Sequence, residues 1–339
     1  MPPILYTRAA RLDLNDYGIL VPLKGSRPDR VREALAAAFG PGEAAGWAGV
    51  VDTSRLTAAD LMRVHTKAYC DLILSPDPVA AIEACYELFD ASGQPNRYAP
   101  QTATRPMSDL VQRALVEATG TLAACEVALE EGFCHFLGGG MHHAMAGEGR
   151  GFCLIHDVCI ALRRLMATQT IKTAWVIDTD CHRGDGTAAL TIADDNISTL
   201  SIHMANGWPI DGSPLDEDGQ LRPCFWPSTV DRGVPVEGEA DYLPLLQSGL
   251  DELEKVAAAP DLVVVVAGSD PSDLDVLASA DGLKLSLDQM LERDLMVYDF
   301  LRSRGVAQAW VMAGGYGDDV WQVHAGFLKR VVGDRAFIF

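Results

Sequence analysis

The stretch LVVVVAGSD at residues 262–270 decides the fold. Residues 263–266 form an apolar run without alternation, which is typical of a strand that is buried on both faces of a parallel sheet. Glycine and serine then interrupt the apolar pattern, and the acidic residue Asp270 follows at once. The stretch therefore predicts a buried parallel strand whose carboxyl end leads to a carboxylate.

The same order of a short aliphatic run, a glycine- or aspartate-rich turn and a helical pattern recurs along the chain. The predicted strands comprise residues 4–7, 135–137, 174–178, 197–203, 262–267, 309–312 and 336–339. The clearest helices cover residues 106–131, with Thr104 as N-cap, and the stretch from a capping box at Ser286 to Arg304. This alternation predicts an α/β protein with a mostly parallel, doubly wound sheet flanked by helices, in a single domain over residues 1–339.

The composition indicates which classes of binding partner are unexpected for this protein. Of 339 residues, 48% are hydrophobic, and 47 acidic residues outnumber 27 basic ones to give a net charge of −20. No nucleic-acid partner is expected, because phosphate binding needs clustered Lys and Arg. No membrane association is expected either, since no targeting signal and no apolar run of about 20 residues is found. The eight cysteines include no C-x-x-C pair, which indicates reduced thiols and a cytoplasmic protein. The sequence leaves a homo-oligomer open.

Four of the predicted strands lead directly into motifs that carry chemistry. These motifs are GGGMHH at residues 138–143, DTDCHRGDG at residues 178–186, GSD at residues 268–270 and GGYG at residues 314–317. In doubly wound sheets, ligands bind beyond the carboxyl ends of the strands. All four motifs are therefore expected to converge on one crevice.

Three side chains in these motifs form a candidate metal site. Asp180 and His182 are two positions apart on an extended segment, so they face the same side, and Asp270 arrives from another strand. Asp178 shares that face and is a candidate ligand for a second, adjacent cation. Three protein ligands with an open position are typical of catalytic zinc, which polarises a carbonyl or acidifies water. By itself, Asp-x-Asp-x-His also fits a turn or a local hydrogen-bond cluster.

The remaining candidates would move protons or stabilise charge. His142 and His143 follow three glycines and suit acid–base work near neutral pH, with Asp178 and Asp185 as candidate carboxylates to orient them. Tyr316, between glycines, is a candidate donor to a developing oxyanion. The histidines without a surrounding motif are expected to be structural: His65, His135 and His324.

Taken together, the segments resemble the zinc-dependent histone deacetylase family of the arginase–deacetylase superfamily. The matching residues are 138–144 (GGGMHHA), 151–153 (GFC), 178–186, 201–203 (SIH), 268–270 and 314–316. Residues 275–277 (DVL) and 281–286 (DGLKLS) are similar to class IV and related bacterial deacetylases, with Ala278–Ala280 as extra residues between them. The resemblance implies the arginase–deacetylase fold.

The resemblance also implies a role for each matching residue. Asp180, His182 and Asp270 would be the ligands of one catalytic zinc ion. His143 would be the general base that activates water and then protonates the leaving amine, with His142 as its electrostatic partner. Asp178 and Asp185 would orient the two histidines, and Tyr316 would polarise the scissile carbonyl and stabilise the oxyanion.

Further positions follow from the same resemblance. One structural potassium ion would use Asp178, Asp180, His182, Ser201 and the carbonyl of Ile202, and a second would use carbonyls around Thr191, Asp194 and Ile197. Phe152 and Trp208 are placed like the paired aromatics of an acyl-lysine tunnel. The substrate-binding residues would be Gly151, Phe152, Trp208, Leu277 and Gly314.

Some residues depart from the family pattern. Arg183 stands where many members have a second histidine, and His156-Asp157 replaces a common Asn-Asp pair. The N-terminal Gly-His-Pro-Glu signature is missing, and residues 17–20 (YGIL) and 26–28 (SRP) occupy that region. None of these changes removes a catalytic role assigned above, so the differences concern substrate access at the rim.

The implied function is hydrolysis of an acyl group, acetyl by default, from the ε-amine of lysine in a protein or peptide. The alternative is a small acetylated amine such as an acetylpolyamine, but polyamine-selective relatives carry an acidic gatekeeper where this chain has Leu277. A dimanganese, arginase-like hydrolase would need a Ser-x-Asp-x-Asp arrangement that residues 268–271 do not supply. A non-enzymatic binding protein is disfavoured by the intact ligand set and Tyr316. The Asp-His-Asp set also suits iron or cobalt.

Overall fold

The computed structural model describes residues 3–51 and 55–336, and its centre is an eight-stranded sheet. The strands are β1 (Ile4–Tyr6), β2 (Ala48–Val50), β3 (Phe133–Phe136), β4 (Ala174–Asp178), β5 (Ile197–Met204), β6 (Val230–Val234), β7 (Leu262–Val266) and β8 (Ala307–Val311). Their order across the sheet is β2-β1-β3-β8-β7-β4-β5-β6. Neighbouring strands of this sheet pair in parallel throughout. The predicted α/β class with a parallel sheet is confirmed.

Helices connect the strands and cover the sheet. They are α1 (Arg27–Phe39), α2 (Pro41–Trp47), α3 (Ala58–Leu61), α4 (Lys67–Ile73), α5 (Val79–Cys85), α6 (Asp109–Glu131), α7 (Asp157–Ala167), α8 (Asp185–Thr191), α9 (Tyr242–Val256), α10 (Leu287–Ser303) and α11 (Trp321–Ala336). Within the described ranges, no helix is both long enough and apolar enough to cross a membrane.

The core lies on both faces of the sheet. Successive side chains of a strand point to opposite faces, and β7 shows this directly. Val263 and Val265 pack in a cluster that includes side chains of α9, α10 and α11. Val264 and Val266 pack in a second cluster that includes side chains of α6 and α7. The uninterrupted apolar run of β7 is therefore explained by burial on both sides.

Two strands were absent from the sequence prediction, and both are edge strands. β2 has three residues, and β6 reads VDRGV, with a glycine and two charged residues that are partly exposed. An edge strand pairs on one side only, so it needs no continuous apolar run. The predicted strand at 336–339 is not found at its first residue, because Ala336 ends α11, and residues 337–339 lie outside the described part.

The two predicted helices are present, and their starts differ in accuracy. α6 begins after Ser108, so the prediction of Thr104 as N-cap is wrong. The backbone N–H of Thr104 instead donates to the carbonyl of Asp16 at 2.8 Å. The capping box at the start of α10 is confirmed, since the Ser286 hydroxyl accepts from Gln289 N and the Gln289 side chain accepts from Ser286 N.

The four strands that lead into the motifs are neighbours in the sheet. They occupy its centre in the order β3, β8, β7 and β4. Because parallel strands have their carboxyl ends at one edge, the loops that follow them leave the sheet side by side. This placement brings the four motifs together.

Substitution of two glycines, one on α6 and one on α11 as its control, tests the packing of α6 on the sheet. A Cβ atom at Gly120 of α6 would overlap the ring of Phe136 on β3, whereas one at Gly326 of α11 would meet no atom within 4 Å. We expect Gly120→Ala to lower the free energy of unfolding by about 1–3 kcal/mol through overpacking. Gly326→Ala should raise it by up to about 1 kcal/mol through helix propensity. Urea unfolding of both variants measures this, and stabilisation by Gly120→Ala would contradict the packing.

Candidate active site

A cavity of about 140 Å³ lies where the four motif loops meet. Each motif contributes to its lining, and the contributing motif residues include Gly139, Gly140, His142, His143, Asp180, His182, Asp270, Gly314 and Tyr316. Further lining comes from the N-terminal segment and from α6, including Arg27, Pro28 and Glu117. The structure thus brings the predicted metal, proton-transfer and oxyanion residues to one place.

The three predicted metal ligands form a compact, buried group. His182 Nδ1 lies 3.2 Å from Asp180 Oδ1 and 3.0 Å from Asp270 Oδ2. Two backbone amides hold the carboxylates in place, since Gly314 N donates to Asp180 Oδ2 and Cys181 N donates to Asp270 Oδ1, each at 3.0 Å. The donor atoms of these side chains, with the thiol of Cys181, all lie within 4.8 Å of one another.

The charges of this group favour a bound cation. Burial raises the pKa of Asp270, and the negative charge of Asp180 raises it further. Burial by itself would lower the pKa of His182, but hydrogen bonds and charge from the two carboxylates raise it to about 10. Two buried carboxylates therefore attract positive charge to the position between them. Two carboxylate oxygens and one imidazole nitrogen fit zinc and several other divalent ions.

Each histidine of the pair is hydrogen-bonded to its own carboxylate. His142 Nδ1 donates to Asp178 Oδ2 and His143 Nδ1 donates to Asp185 Oδ1, both at 2.7 Å. The two imidazole rings lie close together, with centroids 3.8 Å apart. The carboxylate partners suggested from the sequence are thus in contact with the histidines.

The two imidazoles differ in charge. Burial would lower the pKa of His142, but the charges of Asp178 and Asp180 outweigh it and raise the pKa to about 9. The pKa of His143 is lowered well below its usual value by burial and by the neighbouring positive charges of His142 and His182. His142 is therefore cationic and His143 neutral near pH 7. A neutral imidazole can accept a proton, and a cationic neighbour stabilises negative charge.

Arg150 is a site residue that the sequence did not reveal. Its Nη1 lies 3.2 Å from Asp185 Oδ2, and its guanidinium lies over the ring of Trp208 at 5.4 Å. Burial raises the pKa of Asp185 to about 6, and Arg150 opposes this rise. Trp208 in turn stands edge-on to His143, with ring centroids 4.5 Å apart. An isolated arginine in a loop carries no motif, so only the fold shows this contact.

Tyr316 is fixed by its backbone. Gly315 and Gly317 on either side have φ angles of 146° and 106°, which favour glycine. The backbone N–H of Tyr316 donates to Asp275 Oδ2 at 2.6 Å, and its ring lies edge-on to Phe152, with centroids 6.1 Å apart. Burial raises the pKa of Tyr316 well above its usual value. The phenol therefore stays protonated and can donate a hydrogen bond.

The predicted substrate-binding residues have different positions. Gly151, Phe152 and Gly314 line the cavity. Trp208 packs against His143 and His182, whereas the ring of Phe152 stacks on Tyr86, so the two aromatics contact different partners. Leu277 is only 8% exposed, belongs to the hydrophobic core and is not part of the cavity lining.

Two sets of residues were suggested for potassium, and within each set some members are neighbours in the structure. Asp178 and Ser201 are register partners on β4 and β5, and the Ser201 hydroxyl lies 3.1 Å from His203 Nδ1. In the second set, Asp194 N donates to the carbonyl of Thr191, and Ile197 N donates to the carbonyl of Asp194. Potassium at either place, including the contribution of the Ile202 carbonyl, stays a prediction.

The residues that depart from the family pattern, Arg183 and His156, have structural contacts, as does Asp157 next to His156. Asp157 accepts hydrogen bonds from Gly140 N and Met141 N, so it holds the glycine loop before the histidine pair. Arg183 forms an ion pair with Asp231 and donates to the carbonyl of Cys224. His156 caps α7 by accepting from Cys159 N. The histidines predicted to be structural are buried and do not line the cavity: His65, His135 and His324.

Sequence comparison agrees with this geometry. A sequence profile described as the histone deacetylase domain matches residues 22–329. The chain belongs to the histone deacetylase family. The match begins at residue 22, so it includes residues 26–28 of the region that lacks the usual signature, but not residues 17–20. The similarity of this histone deacetylase family member to class IV stays a prediction.

Two relatives show how similar the sequence is to those of known proteins. An uncharacterized protein of Picosynechococcus sp. is 30% identical over 256 residues, which is 75% of this chain and 77% of that protein. Histone deacetylase 2 of Arabidopsis thaliana is 27% identical over 267 residues, which is 79% of this chain and 63% of that protein. The match thus spans less than two thirds of the Arabidopsis protein.

Solved structures share the histone deacetylase fold with this chain. A histone deacetylase homologue from Aquifex aeolicus superimposes with a TM-score of 0.70 at 18% identity, covering 97% of this chain and 83% of the other. An acetylpolyamine aminohydrolase from Burkholderia pseudomallei gives a TM-score of 0.67 at 19% identity, covering 96% and 97%. At such low identities these matches show the fold alone.

Glu117 on α6 predicts a pH dependence of stability. Burial raises its pKa to about 8, although Gly139 N donates to its carboxylate at 2.5 Å. Between about pH 4.5 and pH 8 the folded chain keeps this proton and the unfolded chain does not, so the free energy of unfolding falls as pH rises. Glutamine stays neutral, so Glu117→Gln should melt higher than the unmodified protein at pH 8, by on the order of 3 °C, and not at pH 4.5.

The control for this experiment is Glu130→Gln, which removes an exposed carboxylate from the same helix. Thermal melts at pH 4.5 and pH 8 should show a Tm difference that changes with pH for Glu117→Gln only. An equal change in both variants would contradict the assignment.

Proposed function

We propose that this chain is a zinc-dependent amidohydrolase that removes acyl groups, acetyl by default, from the ε-amine of lysine in proteins or peptides. The observation that carries the proposal is the arrangement around one cavity of three metal-ligand side chains, two His–Asp pairs and a buried tyrosine. Membership of the histone deacetylase family supports it. We further propose that the matched region acts as one catalytic domain.

Asp180, His182 and Asp270 would hold the metal. Their buried donor atoms fit a divalent ion, and three protein ligands leave room for a water molecule or a carbonyl oxygen. When bound, the metal polarises the acyl carbonyl and makes the attacking water more acidic. One or two potassium ions would add structural support, one of them near Asp178 and Ser201.

His143 is the proposed general base. Its Nδ1–H bond to Asp185 leaves Nε2 as the basic nitrogen, which takes a proton from the attacking water. The same nitrogen then gives this proton to the lysine nitrogen as the C–N bond breaks, which yields a carboxylic acid and a free amine; transfer of the acid proton to the amine leaves a carboxylate and an ammonium. His142, held by Asp178, keeps a positive charge beside this centre. Trp208 packs against the ring of His143, and Arg150 lies over Trp208.

Tyr316 is the proposed oxyanion donor. The carbonyl oxygen gains negative charge as water adds to the carbonyl carbon, and a phenol that stays protonated can donate a hydrogen bond to it. The loop geometry supports this role, because Asp275 holds the backbone of Tyr316 and Phe152 borders its ring. These contacts support a fixed position of Tyr316 in the cavity lining.

A protein or peptide is the proposed carrier of the acyl-lysine. The alternative is an acetylpolyamine, which is supported by the shared fold with an acetylpolyamine aminohydrolase. Polyamine-selective relatives carry an acidic gatekeeper at the position that corresponds to Leu277, which has no carboxylate and here belongs to the hydrophobic core. The net charge of −20 suits a cationic partner of either kind.

A turnover panel tests the choice of substrate. The zinc-loaded enzyme is given an acetyl-lysine peptide, a long-chain acyl-lysine peptide and acetylated polyamines, and kcat/KM is measured for each. We expect the acetyl-lysine peptide to give the highest value. A higher kcat/KM on acetylpolyamines would transfer the assignment to small amines, and no hydrolysis of any amide would contradict an amidohydrolase.

Replacing Tyr316 tests the oxyanion role. Tyr316→Phe keeps the ring and loses the hydroxyl, so we expect kcat to fall by about 10²–10³-fold while zinc content stays normal. Turnover and metal content are measured on the same sample. The matched control is Tyr98→Phe, which removes a phenol outside the cavity lining and should leave kcat unchanged. Unchanged kcat in Tyr316→Phe would overturn the role.

A further inference from the structure

Ser279 contacts the imidazole of the candidate metal site from outside. Its hydroxyl oxygen lies 3.0 Å from His182 Nε2, on the opposite side of the ring from Asp180 and Asp270. Ser279 belongs to a short 3-10 helix, Ala278–Ala280, formed by the residues that have no counterpart in the resemblance to class IV deacetylases. The contact is therefore made by residues that are extra relative to the class IV pattern.

The position of Ser279 decides which imidazole nitrogen faces the carboxylates. An imidazole binds a metal through an unprotonated nitrogen, so its proton must sit on the other nitrogen, where it needs an acceptor. Here Nδ1 faces Asp180 and Asp270, and Nε2 faces the Ser279 hydroxyl. The hydroxyl oxygen can accept from Nε2–H. This holds a proton on Nε2, so Nδ1 is the nitrogen that gives up its proton when a metal binds between the carboxylates.

We propose that Ser279 is a positioning residue that fixes the tautomer and the ring orientation of His182 for metal binding. The proposal rests on the metal site of the proposed function and adds a residue to its support. Ser279 has the same task with and without metal, because Nε2–H can donate to it in both states. The ligand is thus oriented before the metal arrives.

The turn that carries Ser279 is itself held in place. Asp275 Oδ1 accepts from Leu277 N at 2.8 Å, and Leu277 O accepts from Ala280 N at 2.9 Å. Lys284 Nζ donates to the carbonyl of Asp275 at 3.1 Å. These contacts fix the chain both before and after Ser279. The hydroxyl therefore has a defined position against His182.

The test is a zinc competition titration against a chromophoric chelator. We expect Ser279→Ala to raise the Kd for zinc by about 10–100-fold, the usual cost of losing such a partner. Ser279→Thr keeps the acceptor oxygen and should stay within about threefold of the unmodified protein. Ser272→Ala removes a hydroxyl from the same loop that contacts Leu274 N and should leave the Kd unchanged. Asp180→Asn, which loses a ligand, marks the level without tight binding.

A proton NMR spectrum of the zinc-loaded protein gives a second readout. The His182 Nε2–H resonance should be protected from exchange with water in the unmodified protein and in Ser279→Thr, and lost by exchange in Ser279→Ala. A zinc Kd for Ser279→Ala equal to that of the unmodified protein would overturn the role of Ser279 and leave the metal site standing. Absence of tight zinc binding in the unmodified protein would overturn the metal site and the role of Ser279 together.

Discussion

Parallel pairing of four central strands is the constraint on which the site depends. β3, β8, β7 and β4 lie side by side, so their carboxyl ends open at one edge of the sheet. The loops after these strands contribute a histidine pair (β3), a tyrosine (β8), the single carboxylate of Asp270 (β7) and a set of carboxylates with His182 (β4). None of these groups is near another in sequence, and only the shared direction of the strands brings them together. β7, at the middle of this edge, is buried on both faces.

Unequal environments then give similar groups different properties. Two adjacent histidines each have a carboxylate at 2.7 Å, yet one is held cationic and the other neutral. The difference arises because His142 lies closer to the carboxylates of the metal-ligand group, whereas His143 is surrounded by positive neighbours. Division of labour between the two imidazoles is thus a property of their surroundings and not of their sequence.

Sequence alone predicted most of the fold and most of the site, for identifiable reasons. Strands buried on both faces carry long apolar runs, so the central ones were predicted, while the edge strands β2 and β6 carry weak signals. Motif residues at strand ends follow the rule for doubly wound sheets. Arg150, Glu117 and Ser279 were missed because their contacts join segments that are far apart in sequence, and an isolated residue of an ordinary type gives no local signal. The predicted cap at Thr104 was wrong because α6 begins only after Ser108, and both the backbone N–H and the hydroxyl of Thr104 donate to the carbonyl of Asp16 in a tertiary contact.

Asp275 has a consequence for how this family member can change over evolution or by design. Its two carboxylate oxygens hold two different loops: Oδ1 supports the turn that carries Ser279, and Oδ2 supports the backbone of Tyr316. A loop beside a cavity can usually vary without moving the side chains that line it. Here a remodelled turn that displaces Asp275 also displaces the backbone of Tyr316, so the turn can be changed safely only by substitutions that keep this carboxylate in place.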